Sequence, residues 1–368
     1  MSTLHIFNPS HDEALAANTP YYYPTKAART LAADLCVLPA WWAKPGDYIL
    51  IPTEVALPPA DFCPNGVHFV HPSDLKKGVV DQFTAVAPWG WDDLLIHQLK
   101  QAGVPASLLP SAEKMATIRQ LSSRHTAVLL LKSLRADLPH SVGESFWATT
   151  EEEVWNIAAN YPAVMLKAPW SCSGRGVFSA QPDAPESIRK RVARILREQG
   201  AIEVEPLYER VSDFALEFYA EGENVRYTGL SVFVTTAIGA YAGNKIDDEE
   251  TLLQQLPQEI REQLPATIES MEHHLRHLLH NQYQGPLGID LMCVRNDDGQ
   301  LALHPCVEIN LRNTMGQVAL ACRKYLPAGH SGIYRLQPLA DKSKDTFCLT
   351  PFAQQMEAVL IPDHQTAS

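Results

Sequence analysis

The sequence has no long apolar run free of charges, whereas a membrane-spanning helix needs about 18 or more such residues. The segment Thr126–Leu131 is too short for this, and Arg124 and Lys132 flank it. No basic tract is present, and the formal net charge is −12. Such a charge repels nucleic acids and anionic membranes, so neither is an expected partner.

Cysteine patterns typical of disulfide frameworks or zinc sites are missing as well. The 7 cysteines are scattered and never form a Cys-x-x-Cys pair, which indicates free thiols in a reducing cytoplasm. The start of the chain lacks a basic region and an apolar core, because Asp12 and Glu13 stand where that core would lie. Both observations predict a cytoplasmic protein.

Two sequence signatures of catalysis and nucleotide binding are also absent. The chain contains no Gly-x-x-x-x-Gly-Lys-Ser/Thr motif and no convincing Ser–His–Asp or Cys–His arrangement. A P-loop is therefore excluded, and chemistry that needs a protein nucleophile is not expected. With 46% hydrophobic and 20% charged residues in a chain of 368, the composition indicates a globular protein of about two or three domains.

Short apolar runs alternate with helical stretches in the first part of the chain. The pattern predicts a helix over Asp92–Ala102 and strands over Leu4–Phe7, Tyr48–Ile51, Val67–Val70 and Thr84–Ala87. This alternation is typical of a small α/β domain with a largely parallel sheet.

Polar and aromatic residues follow two of these predicted strands. Asn8, His11 and Asp12 follow the first strand, and Trp91 follows the last. Ligands of such sheets bind at the carboxyl ends of the strands, so these four residues are candidates for contacting a substrate. The alternative is that they serve as turn and cap residues.

A second α/β region follows Leu109-Pro110, which is the preferred domain boundary. Its predicted helices include Ser111–Ser122 and a long polar helix over about Gln258–Gln282. Alternating apolar residues predict pairs of antiparallel strands, with an Asp298-Gly299 turn joining the last two: Phe214–Tyr219, Tyr227–Thr235, Leu287–Val294 and Leu301–Ile309.

A glycine-rich loop follows a predicted strand that ends in lysine, Val164–Lys167. A second strand, Val177–Ala180, comes directly after the loop, so the segment is a strand–loop–strand and not a dinucleotide-binding turn. Small residues allow backbone amides to cradle a phosphate, and here these are Ser171, Ser173, Gly174 and Gly176. An ordinary hairpin is the alternative.

Polar residues also alternate with apolar ones near the end of this region. Glu308, Asn310 and Arg312 are spaced by two, which places them on one face of a strand, and the preceding hairpin brings Asp290 alongside. Carboxylate and amide oxygens suit magnesium, and a guanidinium suits a phosphoryl group. A solvated strand face is the weaker alternative, because the intervening residues are apolar: Ile289, Leu291, Val307, Ile309 and Leu311.

Taken in order, these motifs resemble the ATP-grasp superfamily, which includes biotin carboxylase, D-alanine–D-alanine ligase and glutathione synthetase. The resemblance covers roughly residues 111–326. It implies an α/β protein in which a Rossmann-like pre-ATP-grasp domain precedes a two-lobed ATP-grasp domain. The implied ranges are 1–110 for the first domain, 111–350 for the second, with a small flap lobe at about 125–205 and a C-terminal lobe at about 206–350, and 351–368 for a tail.

The resemblance also implies roles for individual residues. Lys167 looks like the lysine that contacts the α- and β-phosphates, and Arg312 looks like the catalytic arginine. Glu205 and the backbone of Leu207 would meet adenine, and Asp213 opens the next strand. The family's earlier phosphate-binding lysine is not evident; Arg124 is the first candidate to replace it and Lys132 the second. The implied magnesium ligands are Asp290, Glu308 and Asn310.

The activity implied by this resemblance is that of a ligase. ATP would phosphorylate a small-molecule carboxylate, and an amine would then attack the acyl phosphate, with one or two Mg²⁺ ions for which Mn²⁺ can substitute. A phosphotransferase and a nucleotide-binding module with little turnover are the alternatives. Arg226, Asn244 and Lys245 are candidates for the acceptor site, with loop residues as the alternative, and a homodimer is compatible with the sequence.

Overall fold

The computed structural model forms two compact units. The first comprises Met1–Ala116, Gly229–Leu252 and Arg312–Ser368, and the second comprises Thr117–Thr228 and Leu253–Leu311. The domain limits predicted from the sequence stay a prediction. The structure describes residues 2–59, 61–62, 65–171, 176–235, 241–296, 298–326, 330–341 and 346–363.

The N-terminal part of the first unit is a four-stranded sheet in the order β3-β2-β1-β4, with every pair parallel. This confirms the predicted parallel α/β arrangement. Its strands are β1 (Thr3–Ile6), β2 (Tyr48–Leu50), β3 (His68–Val70) and β4 (Ala85–Pro88). Its helices are α1 (His11–Ala17), α2 (Lys26–Asp34), α3 (Pro72–Leu75), α4 (Asp93–Gln101) and α5 (Ala112–Leu121), the last of which continues into the second unit.

The second unit contains an antiparallel sheet in the order β5-β8-β6-β7, with two helices packed into its core. Thr150 and Glu153 form a capping box at the start of one of them. The elements of this stretch are α6 (Arg124–Asp137), β5 (Phe146–Ala148), α7 (Glu151–Ala158), β6 (Val164–Lys167), β7 (Val177–Ala180), α8 (Glu186–Gln199) and β8 (Ile202–Pro206).

The remaining strands of both units are antiparallel and most of them are longer, and further helices accompany them. The strands are β9 (Glu209–Glu221), β10 (Asn224–Thr235), β11 (Tyr241–Ile246), β12 (Gly285–Arg295), β13 (Leu301–Asn310), β14 (Gly332–Pro338), β15 (Phe347–Cys348) and β16 (Met356–Pro362). The helices are α9 (Glu249–Gln254), α10 (Gln258–Arg261), α11 (Leu264–Leu279) and α12 (Met315–Cys322). In the second unit β12 pairs with β9 and β13, and in the first unit β14 lies between β11 and β16.

The predicted hairpin near the end of the second unit is confirmed, since β12 and β13 pair in antiparallel register. Gly299 has a φ of +79°, which explains the glycine in the turn. The long helix predicted over 258–282 is wrong in one respect, because it is broken into α10 and α11. Pro265 lies in the first turn of α11, where its missing N–H costs nothing, whereas in a continuous helix its ring would clash with the preceding turn.

The core of the first unit is built around Trp41, which is 2% exposed. Its indole Nε1 donates to the Leu349 carbonyl at 2.9 Å, and its ring meets Tyr325 and Phe347 edge-on. Residues far apart in sequence therefore share one core. Within the described residues, no helix is long and apolar enough to cross a membrane.

The C-terminal strand of the first unit is fastened by a buried carboxylate. Asp34, at the end of α2, accepts hydrogen bonds of 2.7–3.1 Å from the backbone amides of Gln354, Gln355 and Met356. We expect Asp34→Ala to lower the free energy of unfolding by about 1–3 kcal/mol, because three amides lose a charged acceptor that water replaces only in part. Urea unfolding measures this. Asp34→Asn, which keeps an acceptor oxygen, should lose clearly less, and equal losses would contradict the proposed contribution.

Candidate active site

Two carboxylates face each other across the β12–β13 hairpin of the second unit. Asp290 is directly opposite Glu308, and Asn310, two residues further along β13, lies on the same face. All three are partly exposed, while the intervening Ile289 and Ile309 are buried. The predicted alternation of polar and apolar side chains is therefore present, and it groups the three proposed metal ligands on one face.

Arg124 connects this acidic face to the glycine-rich loop. It is the first residue of α6 and only 6% exposed. Its Nη2 donates to Glu308 Oε1 at 2.7 Å, and its Nη1 donates to the Ala168 carbonyl and to Ser171 Oγ, both at 2.7 Å. The second candidate, Lys132, is exposed further along α6. Arg124 is thus the cation beside the acidic face, and its role toward phosphate stays a proposal.

The glycine-rich loop is described at its two ends. Gly176 cannot carry a side chain without movement, since a Cβ there would lie 2.4 Å from the Cβ of Ser171. The Ala168 amide donates to the Gly176 carbonyl at 2.9 Å, which closes the base of the loop between β6 and β7. The strand–loop–strand arrangement is confirmed. Ser173 and Gly174 lie outside the described residues, so their predicted contact with phosphate stays a prediction.

Lys167, at the end of β6, lies among buried acidic groups. It is 4% exposed, and its Nζ lies 2.8 Å from Glu205 Oε2, 3.7 Å from Glu203 Oε1 and 3.2 Å from the Val307 carbonyl. Both glutamates are on β8, which pairs with β6. Since Arg124 Nε is 3.8 Å from Glu203 Oε2, the buried groups form one network of two cations and two carboxylates.

Burial and charge both act on the ionisation of this network. Burial raises the pKa of Glu205 to about 7, although the neighbouring Lys167 ammonium opposes the shift. Burial by itself would lower the pKa of Lys167, but the carboxylates of Glu203 and Glu205 outweigh it and raise this pKa. Lys167 is consequently held in its charged form, as a phosphate-binding group requires.

The segment after β8 contains the remaining residues proposed for the nucleotide. Leu207 is 49% exposed, and its amide donates to the Ala163 carbonyl at 3.0 Å. Asp213 on β9 pairs with Arg210 at 2.8 Å, and burial raises the pKa of Asp213 against the effect of that arginine. These positions do not test the proposed contacts with adenine.

Arg312 does not share a strand face with Glu308 and Asn310, contrary to what the sequence spacing predicts. Strand β13 ends at Asn310, because the backbone leaves the sheet at Leu311, and Arg312 belongs to the first unit. There its guanidinium forms an ion pair with Asp12, with Nη2 2.9 Å from Oδ2.

Most of the N-terminal residues proposed for substrate binding lie together at the carboxyl ends of β1 and β4. Asn8 Nδ2 donates to the Gly90 carbonyl at 2.7 Å and to Asp92 Oδ2 at 3.0 Å. His11 is buried, and Trp91 is partly exposed. Asp92 also caps α4 by accepting from the Leu95 amide. Asn8 and Asp92 thus fit the alternative role of turn and cap residues, whereas a role in substrate binding stays a proposal.

The three candidates for the acceptor site have different surroundings. Asn244 is fully buried, its Nδ2 donates to Ser231 Oγ at 2.6 Å, and its Oδ1 accepts from the Tyr241 hydroxyl, which favours a structural role. Lys245 is exposed on β11 of the first unit. Arg226 is in the second unit, where its guanidinium lies 5.3 Å from the Tyr219 ring. Arg226 and Lys245 are both exposed, as an anion-binding residue requires, whereas Asn244 is not.

Sequence reasoning missed two buried residues of this region. Glu203 was visible as a second glutamate two residues before Glu205, a spacing that places both on one face of a strand. His304 gave no such signal, because it is embedded in the apolar part of β13. It is 0% exposed, and neither ring nitrogen has a hydrogen-bond partner among the described residues.

The oxygen donors of the acidic face fit a magnesium ion that is coordinated by the protein and by the phosphates of a nucleotide together. No group of three or more His, Cys, Asp or Glu side chains suited to a metal occurs within the described ranges. Asp290 and Glu308 supply two carboxylates, a number that Mg²⁺ typically takes when phosphates complete its coordination, and Asn310 adds an amide oxygen. Glu308 pairs with Arg124 through Oε1, so Oε2 is the oxygen that would coordinate the magnesium ion.

Comparison with known proteins shows the fold. No protein-family model matches the chain, and no curated protein matches it in sequence. The structure resembles N5-carboxyaminoimidazole synthetase from Staphylococcus aureus complexed with ADP at 13% identity and a TM-score of 0.52, covering 99% of this chain and 94% of that chain. It also resembles a biotin carboxylase–β-γ-ATP complex from Campylobacter jejuni at 12% identity and a TM-score of 0.54. The match covers 98% of this chain and 87% of that chain.

A third similar structure is the biotin carboxylase domain dimer of the Hydrogenobacter thermophilus 2-oxoglutarate carboxylase, in complex with MgADP, ADP and bicarbonate. Its identity is 13% and its TM-score 0.51, with 98% of this chain and 85% of that chain covered. Biotin carboxylase is one of the enzymes that the sequence motifs resemble. The chain therefore has the ATP-grasp fold, as expected from its motifs.

Proposed function

We propose that this protein is an ATP- and Mg²⁺-dependent ligase, which phosphorylates a small-molecule carboxylate and joins it to an amine with release of ADP and phosphate. The observation that carries the proposal is the opposed pair Asp290 and Glu308, with Asn310 in register, in a chain with the ATP-grasp fold. Two buried cations of the same unit, Arg124 and Lys167, support it.

The residues of the second unit divide into two groups under this proposal. Asp290, Glu308 and Asn310 would hold Mg²⁺, which would neutralise charge on the β- and γ-phosphates of ATP. Lys167 and Arg124 bind phosphate oxygens by charge-assisted hydrogen bonds, so phosphates compete with Glu205 and Glu308 for them. Glu205 and the Leu207 carbonyl face the adenine.

The reaction itself requires little covalent chemistry from the protein. The substrate carboxylate attacks the γ-phosphorus in line, and the amine then attacks the acyl phosphate. Arg312 stabilises the charge on the transferred phosphoryl group, so that orientation and electrostatics supply the rate enhancement. The absence of a Ser–His–Asp or Cys–His arrangement in the sequence agrees with this mechanism.

We expect Mg-ATP to stabilise the wild-type protein against unfolding. It should not stabilise the variants Asp290→Ala and Glu308→Ala. A ligand at a hundred times its dissociation constant adds about 2.7 kcal/mol, which moves the unfolding midpoint by a few degrees in a chain of this size. ADP release with pooled carboxylates and amines should fall about 100-fold or more in both variants.

Glu209→Ala is the matched control for this measurement. Glu209 is an exposed carboxylate at the start of β9 that pairs only at the surface with Arg295, so its variant should respond to Mg-ATP like the wild type. An unchanged midpoint of the wild type with every nucleoside triphosphate would refute the proposal. If ADP forms, trapping with hydroxylamine detects an acyl phosphate and thereby separates a ligase from a phosphotransferase with another acceptor.

A further inference from the structure

The segment that carries Arg312 is anchored to the carboxyl edge of the N-terminal sheet. Next to Arg312, the amide of Asn313 donates to the Trp89 carbonyl at 2.8 Å, and its side-chain Nδ2 donates to the Pro88 carbonyl at 3.4 Å. Pro88 ends β4, and Trp89 itself donates to the Ile6 carbonyl at the end of β1. The backbone that presents Arg312 is therefore fixed on the first unit, where β1 and β4 end.

The Arg312 guanidinium is then oriented by one carboxylate. Its Nε lies 3.2 Å and 3.0 Å from the two carboxylate oxygens of Asp12, its Nη2 lies 2.9 Å from Asp12 Oδ2, and its Nη1 donates to the Asn313 carbonyl at 3.0 Å. An arginine joined to a carboxylate through two nitrogens is fixed in its plane as well as in its position. Both side chains remain about one-fifth exposed, so the pair is accessible from solvent.

Asp12 is in turn held by a tightly packed helix start. His11, the first residue of α1, is 1% exposed, and its ring packs on Gly90 so closely that a Cβ there would lie 2.6 Å from it. Its Nδ1 is 3.8 Å from Asp92 Oδ2 and its Nε2 is 4.0 Å from Asp12 Oδ1. The Asp12 carboxylate therefore lies at the start of α1, next to a buried histidine that packs on Gly90.

We propose that Asp12 is a positioning residue, which holds the Arg312 guanidinium in the orientation needed for phosphoryl transfer, and does not bind the substrate. The inference rests on the proposed function, since it assumes that Arg312 acts on the transferred phosphoryl group. It assigns a catalytic purpose to the ion pair between Asp12 of α1 and Arg312. Both carboxylate oxygens of Asp12 contact the Arg312 guanidinium, which is the observation that favours a positioning role.

The test compares ADP release at saturating Mg-ATP, with the pooled carboxylates and amines present, between the wild type and variants of this pair. Asp12→Asn should lower kcat about 10- to 100-fold, leave the KM for ATP within about twofold, and shift the unfolding midpoint by no more than about 2 °C. Asp12→Glu should recover part of the rate. The double variant Asp12→Asn/Arg312→Ala should be no slower than Arg312→Ala, because Asp12 acts only through Arg312.

Glu13→Gln is the matched control, since Glu13 is the adjacent carboxylate of α1 and accepts from the Tyr22 hydroxyl. It should turn over at the wild-type rate. A second readout is the solvent exchange of the Arg312 Nε–H, followed by ¹⁵N NMR and assigned with Arg312→Lys; it should be slow in the wild type and faster in Asp12→Asn.

The possible failures are distinguishable. Wild-type kcat in Asp12→Asn, together with loss of activity in Arg312→Ala, overturns the positioning role and leaves the proposed function intact. Equal losses of kcat in Asp12→Asn and Glu13→Gln would also overturn the positioning role. So would an exchange rate of the Arg312 Nε–H that Asp12→Asn does not change. A wild-type protein that neither releases ADP nor is stabilised by Mg-ATP overturns the proposed function, and with it the catalytic purpose of Asp12.

Discussion

Replacing Lys167 by methionine is expected to lower the free energy of unfolding by about 3–5 kcal/mol at pH 8. The Lys167 ammonium is the nearest cation to Glu205, at 2.8 Å, and both side chains are almost inaccessible to solvent. Methionine fills a similar volume but leaves the Glu205 carboxylate buried without that cation. Urea unfolding followed by circular dichroism measures the loss directly.

The loss should depend on pH in a definite direction. Burial already raises the pKa of Glu205 to about 7, and removing the ammonium of Lys167 raises it further. In the unfolded chain the same carboxyl ionises near its ordinary pKa of 4.5. Because the folded state then holds a proton that the unfolded state releases, the variant loses stability as the pH rises above 4.5, and it should be less impaired at pH 5 than at pH 8.

Two further variants decide whether the buried charge is the cause. Lys167→Met/Glu205→Gln removes the carboxylate as well and should recover most of the loss. Lys190→Met removes a lysine from an exposed pair with Glu186, at 3.6 Å, and should change the free energy of unfolding by less than about 0.5 kcal/mol. A loss that is the same at pH 5 and pH 8, and that Glu205→Gln does not relieve, would contradict the explanation.

The parts of this protein that could be predicted from the sequence are those determined by local pattern. Alternation of apolar residues and the Asp298-Gly299 turn were sufficient to place Asp290 opposite Glu308, since a hairpin register follows from its turn and its buried face. The strand–loop–strand around the glycine-rich loop followed from Lys167 and the small residues after it in the same way.

The contacts that join distant segments could not be predicted in this way. Arg124 and Glu308 are 184 residues apart in sequence, and nothing in either local pattern indicates that they form an ion pair. The expectation for Arg312 was wrong for a different reason. Period-two spacing places residues on one face only while the strand continues, and β13 ends before Arg312, which then pairs with Asp12.

His304 is the clearest case of a residue whose character comes from tertiary packing. Its ring lies edge-on to Tyr208, with centroids 5.4 Å apart, and it packs against Gly143, where an added Cβ would lie 2.8 Å from the imidazole. Gly143 has a φ of +121°, a conformation that favours glycine. Burial, helped by the charge of Lys167, lowers the pKa of His304 from 6.5 to about 3.

We therefore expect His304 to lower the stability of the protein on acidification below pH 6.5, against an opposite contribution from Glu205, whose raised pKa favours the folded state as the pH falls from about 7 to 4.5. Between pH 6.5 and 3 the unfolded chain binds a proton at this histidine that the folded chain does not. The contribution of His304 to stability thus falls with decreasing pH, by about 1.4 kcal/mol per pH unit and roughly 4–5 kcal/mol over the whole window. Urea unfolding at half-unit pH intervals gives the slope.

His304→Leu, which has a similar volume and no titrating group, should differ from the wild type in this slope by about one proton across the window. Other groups contribute equally to the slope of both proteins, among them His5, whose pKa burial lowers even though Asp47 opposes the shift. His277→Gln, at an exposed position of α11, controls for the removal of an imidazole from the surface. If His304→Leu and the wild type lose stability in parallel from pH 6.5 to 4, the imidazole of His304 is protonated at no cost, and its burial does not determine the acid sensitivity of the fold.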